Sequence, residues 1–174
     1  LGDTYNVSIG QGDLLITPLE LMNYINAIAV GGKFFQPRIM KNIKNDSGEI
    51  VLENAPEVIR DLSEEVGEKA KEVRRAMRDA VRESYGTANL LSDLPVLAAG
   101  KTGSAQVENN AKTNAFFVGY APYDNPQISV LVLVENAREG SLNAVPVARD
   151  VLMWYYENRL SKPMRTNELM RIYE

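Results

Sequence analysis

Residues 94–110, LPVLAAGKTGSAQVENN, set one lysine among small side chains in a segment that reads as a β-strand. Side chains as small as Thr102, Gly103, Ser104 and Ala105 in a strand mark a place where something approaches the backbone closely. The chain contains no histidine and no cysteine, so the commonest general base and the strongest nucleophile are both missing. Any chemistry at Lys101-Thr102-Gly103 therefore has to be built from other groups.

The bulk numbers narrow the field. A chain of 174 residues that is 45% hydrophobic and 24% charged has the composition of a globular protein, large enough to bury a core. Its net charge of −4 gives no global basic field, so no nucleic-acid partner is expected. The absence of cysteine excludes disulfides and thiolate metal sites, and says little about compartment. No run of eighteen apolar residues exists, so no membrane-spanning helix is expected. The opening LGDTYNVSIG has neither the basic nor the apolar region of a signal peptide. Because it starts at Leu1 in what reads as mid-domain sequence, the chain is expected to be a fragment or a processed piece.

Outward from the lysine, the clearest helix is TPLELMNYINAIAVGG. Thr17 is its N-cap, Pro18 its first residue, Glu20 completes a capping box, and Gly31-Gly32 end it. Apolar residues cover most of its circumference, so it is expected to be buried. Residues 34–53 read as a hairpin turning at Asn45-Asp46-Ser47-Gly48, with Pro37 confining the first arm to an edge or a strand start. A long helix follows, capped by Ser63 and closed by Gly86, with a narrow stripe of Val66, Ala70, Val73, Met77 and Val81. Three strands are expected at about 97–107, 114–121 and 127–135, the last two forming an antiparallel hairpin. ISVLVLV is apolar on both faces, the mark of a strand in the middle of a sheet. A last helix is expected at about 144–160, with Pro146 in its first turn, and then a polar tail over 161–174.

Two glycine motifs resemble nucleotide sites and fail. Gly100-Lys101-Thr102 would need a glycine at position 95 to be a P-loop, and Pro95 stands there. Gly10-x-Gly12 has Leu15 where a third glycine belongs, and no helix follows it directly. The tetrad Lys101-Thr102-Gly103-Ser104 fits a different chemistry, that of serine acyl-transfer enzymes in which Ser-x-x-Lys, Ser-x-Asn and Lys-Thr-Gly meet at one site. Lysine offers positive charge to a substrate carboxylate and to proton traffic around a serine. Threonine offers a hydroxyl donor to the same carboxylate. Glycine leaves room for an acyl-peptide to lie along the strand, and the N–H of Ser104 is suited to a developing oxyanion.

The surrounding sequence carries a resemblance. GDTYNVSIGQGDLLITPLELMNYINAIAVGGKFFQPRI is similar to the stretch between the second and third motifs of class B penicillin-binding proteins, best to the elongation type, penicillin-binding protein 2. Gly10-Gln11-Gly12, Thr17-Pro18, Gly31-Gly32 and Pro37 are its hallmarks. AMRDAV, GTA, AAGKTGSAQV, NAFFVGYAP and ISVLVLVE continue it to about residue 160. The resemblance implies a D,D-transpeptidase that cross-links peptidoglycan stem peptides ending in D-Ala-D-Ala and is trapped by β-lactams. It also implies a glycosyltransferase partner in the membrane, a domain on the periplasmic or extracellular side, and no cofactor or metal. The implied fold is α+β: a five-stranded antiparallel sheet flanked by helices, the penicillin-binding and serine β-lactamase-like transpeptidase fold. Residues 1–160 are expected to supply three of its strands.

Carried over by position, Lys101 is the catalytic lysine of the third motif, Ser104 its backbone oxyanion donor, and Lys101, Thr102, Gly103 and Ser104 together the substrate-binding strand. Ser104 stands where threonine is more usual, and ENAREGS replaces a His- and Gly-rich loop. None of the nine serines has lysine three residues later. Ser141-Leu142-Asn143 spells Ser-x-Asn on the wrong side of the third motif and reads as a turn and helix cap. The nucleophile and second motif are thus expected upstream of Leu1, and the chain alone is expected to be inactive. With the first strand also upstream, residues 127–135 are expected to form an exposed edge prone to self-association. The alternative within the same fold is a catalytically inactive module that binds peptides or a partner.

Overall fold

Thr17 opens the helix Pro18–Ala29 as its sequence requires. Its hydroxyl accepts the Glu20 N–H at 3.2 Å, while the Glu20 carboxylate accepts the Thr17 N–H at 2.7 Å. The Thr17 N–H and the Thr17 hydroxyl, which donates to the same carboxylate at 2.8 Å, hold the Glu20 carboxyl below its ordinary range. At the other end Gly31 and Gly32 form a Schellman turn. Gly31, at φ 79°, donates to Ile28 O at 3.2 Å, and Gly32 to Ala27 O at 2.7 Å. A helix that starts and stops on its own local hydrogen bonds needs little from the rest of the fold to fix its length.

The computed structural model describes residues 2–8, 10, 15–107, 112–137 and 139–161. Two compact units divide the chain, Leu1–Met77 and Arg78–Glu174. The first holds α1 (Gly2–Ser8), α2 (Pro18–Ala29) and four short strands: β1 (Lys33–Phe35), β2 (Asn42–Lys44), β3 (Ile50–Glu53) and β4 (Val58–Asp61). β2 and β3 are the expected hairpin, turned at Asn45–Gly48, where Gly48 N–H donates to Asn45 O at 2.9 Å. The first arm does not run through to it. Pro37 and Arg38 break the chain out of line, and β1 pairs instead with β4, a strand the sequence pattern did not mark. Arg38 clips this bend, bonding Asn54 Oδ1 and Ala55 O and reaching Glu57 Oε2 at 2.6 Å.

α2 is less buried than its apolar circumference suggests. Ile25, Ala27 and Ala29 are buried, whereas Leu19 and Val30 are exposed. Its principal neighbour among the described elements is β1, which covers one stripe. The long helix, α3 (Ser63–Arg82), begins at Ser63 without being capped by it. Asp61 Oδ1 accepts both the Ser63 N–H at 2.9 Å and the Ser63 hydroxyl at 2.6 Å, so the aspartate two residues upstream does the work assigned to serine.

The second unit contains a 3₁₀ turn (Asn89–Asp93) and the antiparallel sheet β5 (Ala99–Val107), β6 (Lys112–Ala121) and β7 (Ile128–Val134), in the order β5-β6-β7. α4 (Gly140–Tyr155) packs across it and continues into a π turn (Tyr156–Leu160). Helices beside antiparallel sheets make the class α+β, as expected. The core joins Val81, Ala88, Leu91, Leu94 and Ala98 to Phe117, Ala121 and Val130 of the sheet and Ala144, Val145, Ala148 and Leu152 of α4.

The central strand is β6, and β7 lies at the edge among the described residues. One face of β7 packs on the core through Ile128, Val130, Val132 and Val134. The other keeps Leu133 exposed, and among the described residues the strand is the edge expected at residues 127–135. α4 begins four residues earlier than expected, and Pro146 therefore sits inside it, not in its first turn. The carbonyl that Pro146 leaves without a helical donor belongs to Leu142, in an exposed turn where water can serve it. The tail beyond Ser161, with Gln11 and Gly12 of the glycine motif and Arg138 of ENAREGS, lies outside the described residues. Among the described residues no helix is long and apolar enough to cross a membrane.

Candidate active site

The small residues before Lys101 serve the core. Gly100 and Gly119 are cross-strand partners, and together they form a slot for the fully buried ring of Phe117. A methyl group on Gly119 would lie 2.7 Å from Phe117 Cζ, and one on Gly100 would run into the same ring. Ala98 and Ala99 are buried beside it. The close approach that the sequence predicts at this strand is thus made in part by the protein itself.

From Lys101 onward β5 changes character. Lys101 and Ser104 are exposed, and Thr102 and Gly103 are half-buried. Among the described residues β5 pairs on one side only, with β6, so its other backbone edge is open. All four predicted site residues lie on that edge strand within one turn of the pleat. Lys101 Nζ donates to Thr102 O at 2.6 Å. The Thr102 hydroxyl donates to Thr87 Oγ1 at 2.8 Å. Ser104 Oγ accepts the Gly140 N–H at 3.4 Å, a long bond from the first residue of α4.

Thr87 and Gly140 are site neighbours that the sequence pattern did not single out, although GTA fell within the resemblance and ENAREGS stood out as a departure from it. Gly140 lies flat against the strand pair. A methyl group there would meet Phe116 O and would stand 2.8 Å from Gly103 O and 3.1 Å from Gly103 N. Ser141 and Asn143 form part of the α4 entry: Asn143 Oδ1 accepts the Glu139 N–H at 3.3 Å, and the Ser141 hydroxyl donates to Glu139 at 2.7 Å. Their use at a helix start agrees with reading Ser-Leu-Asn as a local turn.

Charged pairs brace the frame behind the strand. Arg149 on α4 grips Asp93 at the end of the 3₁₀ turn, with Nη2 to Oδ2 at 2.5 Å and Nε to Oδ1 at 3.0 Å. The guanidinium holds the Asp93 carboxyl below its usual range, and the carboxylate raises Arg149. Arg78 Nε and Nη2 both donate to the single oxygen Asp79 Oδ1, at 3.0 and 2.7 Å, and the guanidinium stands 5.6 Å over the Tyr123 ring.

An edge strand of sequence Lys-Thr-Gly-Ser, a helix laid across its sheet, and an open backbone row are the parts of a peptide-docking wall. The family model for the penicillin-binding protein transpeptidase domain matches residues 2–153. The chain belongs to this family.

Among penicillin-binding proteins, it is 35% identical over 183 aligned residues to the peptidoglycan D,D-transpeptidase MrdA of Haemophilus influenzae, covering 95% of this chain and 28% of that protein. The crystal structure of Pseudomonas aeruginosa PBP2 in complex with WCK 5153 superposes with a TM-score of 0.73 at 32% identity, over 91% of this chain and 34% of that one. Penicillin-binding protein A from M. tuberculosis, solved as a ceftriaxone acyl-enzyme complex, gives 0.73 at 26% identity, over 84% and 34%. The chain spans a little over a quarter of the length of its curated relative in Haemophilus.

Proposed function

We propose that this chain is the third-motif part of a peptidoglycan D,D-transpeptidase of the elongation type, working by serine acyl-enzyme chemistry. The observation that carries the proposal is the placement of Lys101-Thr102-Gly103-Ser104 on the open edge of β5. A stem peptide ending in D-Ala-D-Ala lies along that edge as an added strand. Its terminal carboxylate faces the Lys101 ammonium and the Thr102 hydroxyl. A serine from sequence outside these 174 residues attacks the penultimate D-alanine carbonyl. An ester forms, the peptide bond breaks, and the serine proton passes to the departing D-alanine amine. The Ser104 N–H steadies the oxyanion of the tetrahedral stage, a donor whose loss costs ~3–4 kcal/mol of barrier in comparable sites. An amine on a neighbouring strand then takes the acyl group and the serine regains its proton.

β-Lactams occupy the same place because their ring amide and carboxylate reproduce the D-Ala-D-Ala end. The similarity to a protein solved as a ceftriaxone acyl-enzyme supports this. The protein works at the cell membrane, anchored by a segment outside these residues, with this domain on the periplasmic or extracellular side and a glycosyltransferase beside it.

One observation favours the second reading, an inactive binding module: no serine in the chain starts a Ser-x-x-Lys motif. A labelled penicillin separates the two. The longer reading frame should carry Ser-x-x-Lys and Ser-x-Asn upstream and give a covalent band that Lys101→Ala removes, while the 174 residues alone take no label. A frame without Ser-x-x-Lys, or a band on the 174 residues that prior boiling abolishes, overturns the proposal.

A further inference from the structure

The Thr102 hydroxyl is held by a side chain fifteen residues earlier, and that partner is held in turn. Thr87 stands in the short connection between α3 and the 3₁₀ turn. Next to it, Ala88 is fully buried and its N–H donates to Ala80 O at 2.9 Å. Gly86 N–H donates to Glu83 O at 2.9 Å, Asn89 N–H to Gly86 O at 3.1 Å, and the Asn89 side-chain amide to Glu83 O at 2.9 Å. The backbone on both sides of Thr87 is therefore fixed, while its own side chain remains exposed. Threonine is stiff at χ1, so a fixed backbone places the Thr87 oxygen within a small volume, 2.8 Å from Thr102 Oγ1.

A hydroxyl has one hydrogen to donate and two lone pairs to accept with. While its hydrogen is turned toward Thr87, Thr102 offers an incoming carboxylate only lone pairs, which repel it. Rotation of two hydrogens cures this without moving a heavy atom. Thr102 turns its hydrogen to the anion, and Thr87 turns its own to Thr102 Oγ1. The bond between the threonines survives with its direction reversed, and a hydroxyl that is itself accepting is a better donor.

We propose that Thr87 is a positioning residue for the substrate carboxylate, forming with Thr102 a two-hydroxyl relay in which Thr87 donates to Thr102 while Thr102 donates to the bound anion. Thr87 does not touch the reacting atoms. It fixes where Thr102 points and takes up the acceptor that Thr102 exposes on turning. The inference rests on the transpeptidase reading, in which Thr102 is a carboxylate ligand.

The test uses the longer protein with its serine, and benzylpenicillin, resolving the dissociation constant of the first complex from the acylation rate constant. Thr87→Val keeps the shape and removes the hydroxyl. It should weaken the first complex about five- to tenfold, the loss of roughly one hydrogen bond, and leave acylation once bound, and the melting temperature, near wild type. Thr87→Ala must show the same loss, which guards against a folding fault in the valine variant, and Thr87→Ser must restore binding. With the penicillin carboxylate masked as its methyl ester, Thr87→Val and wild type should bind alike. Combined with Thr102→Val, the Thr87 change should add little. An active wild type with unchanged binding in Thr87→Val, an equal loss with the ester, or no rescue by serine overturns the relay alone. A wild type that takes no penicillin overturns the transpeptidase reading and the relay with it.

Discussion

Replacing Gly140 by alanine tests how closely the start of α4 is seated on the substrate strand. The new methyl would need to stand about 3.4 Å from its neighbours, and Gly103 O is at 2.8 Å, so α4 must withdraw by about 0.6 Å there and further at Phe116 O. Gly103 and Phe116 are cross-strand partners in the β5–β6 ladder, so neither carbonyl can step aside without opening that ladder. Shifting the helix start instead disturbs Ala144, Val145, Ala148 and Leu152, all in the core. Overpacking of this kind costs ~1–3 kcal/mol. Alanine's gain over glycine in a helix interior is at most ~1 kcal/mol and smaller at a first position, so the clash wins.

At roughly 2–4 °C per kcal/mol for a chain of this size, the melting temperature should fall by roughly 2–12 °C. In the longer protein, penicillin acylation should fall too, because Ser104 loses its Gly140 donor and β5 moves. Gly67→Ala is the matched control. Its methyl meets only Gly31 O at 3.8 Å inside α3, and it should stabilise by ~0.5–1 kcal/mol. Calorimetry of both variants decides. A Gly140→Ala protein that melts within 1 °C of wild type and acylates normally would refute the reasoning.

Two further outcomes follow from the second unit. Asp93→Asn should make unfolding less sensitive to acid: the paired carboxyl has a folded value below its unfolded one, so its contribution is present above the ordinary carboxylate range and is lost as pH falls through the lowered value. Denaturation curves at a series of pH values read this directly, and an unchanged slope would exclude a role for the Arg149 pair. The 174 residues alone should associate through the open edge of β7, and Leu133→Lys, at an exposed position, should reduce it. Light scattering showing a monomer at high concentration would end that expectation.

What was legible in the sequence was local. Thr17 with Glu20, Gly31-Gly32, and the turn at residues 45–48 each specify structure within a few residues, and the structure follows them. In the second unit β6 and β7 declared themselves by apolar runs between turn residues, and β5 by the small residues around Lys101. The pairing of β1 with β4 did not, because it depends on Arg38 finding Asn54, Ala55 and Glu57 sixteen to nineteen residues on. Serine is a commoner cap than an upstream aspartate, so the sequence at the α3 start points to Ser63 and not to Asp61. The tetrad at 101–104 was legible because each residue type has a chemical reason to be there. Thr87 and Gly140 were not, since nothing in their own neighbourhoods reveals that they meet β5.

The ring of Phe117 acts as a key for strand alignment. It has one seat, over Gly100 and Gly119, and every other pair along the β5–β6 ladder carries at least one side chain larger than hydrogen. If β5 slid by one residue, Ala99 or Lys101 would come under the ring and every side chain would change face. The small residues that precede the lysine therefore set its address. Lys101 stands next to the one place where the two strands can lock, so its position along the sheet is decided by an aromatic ring in the core.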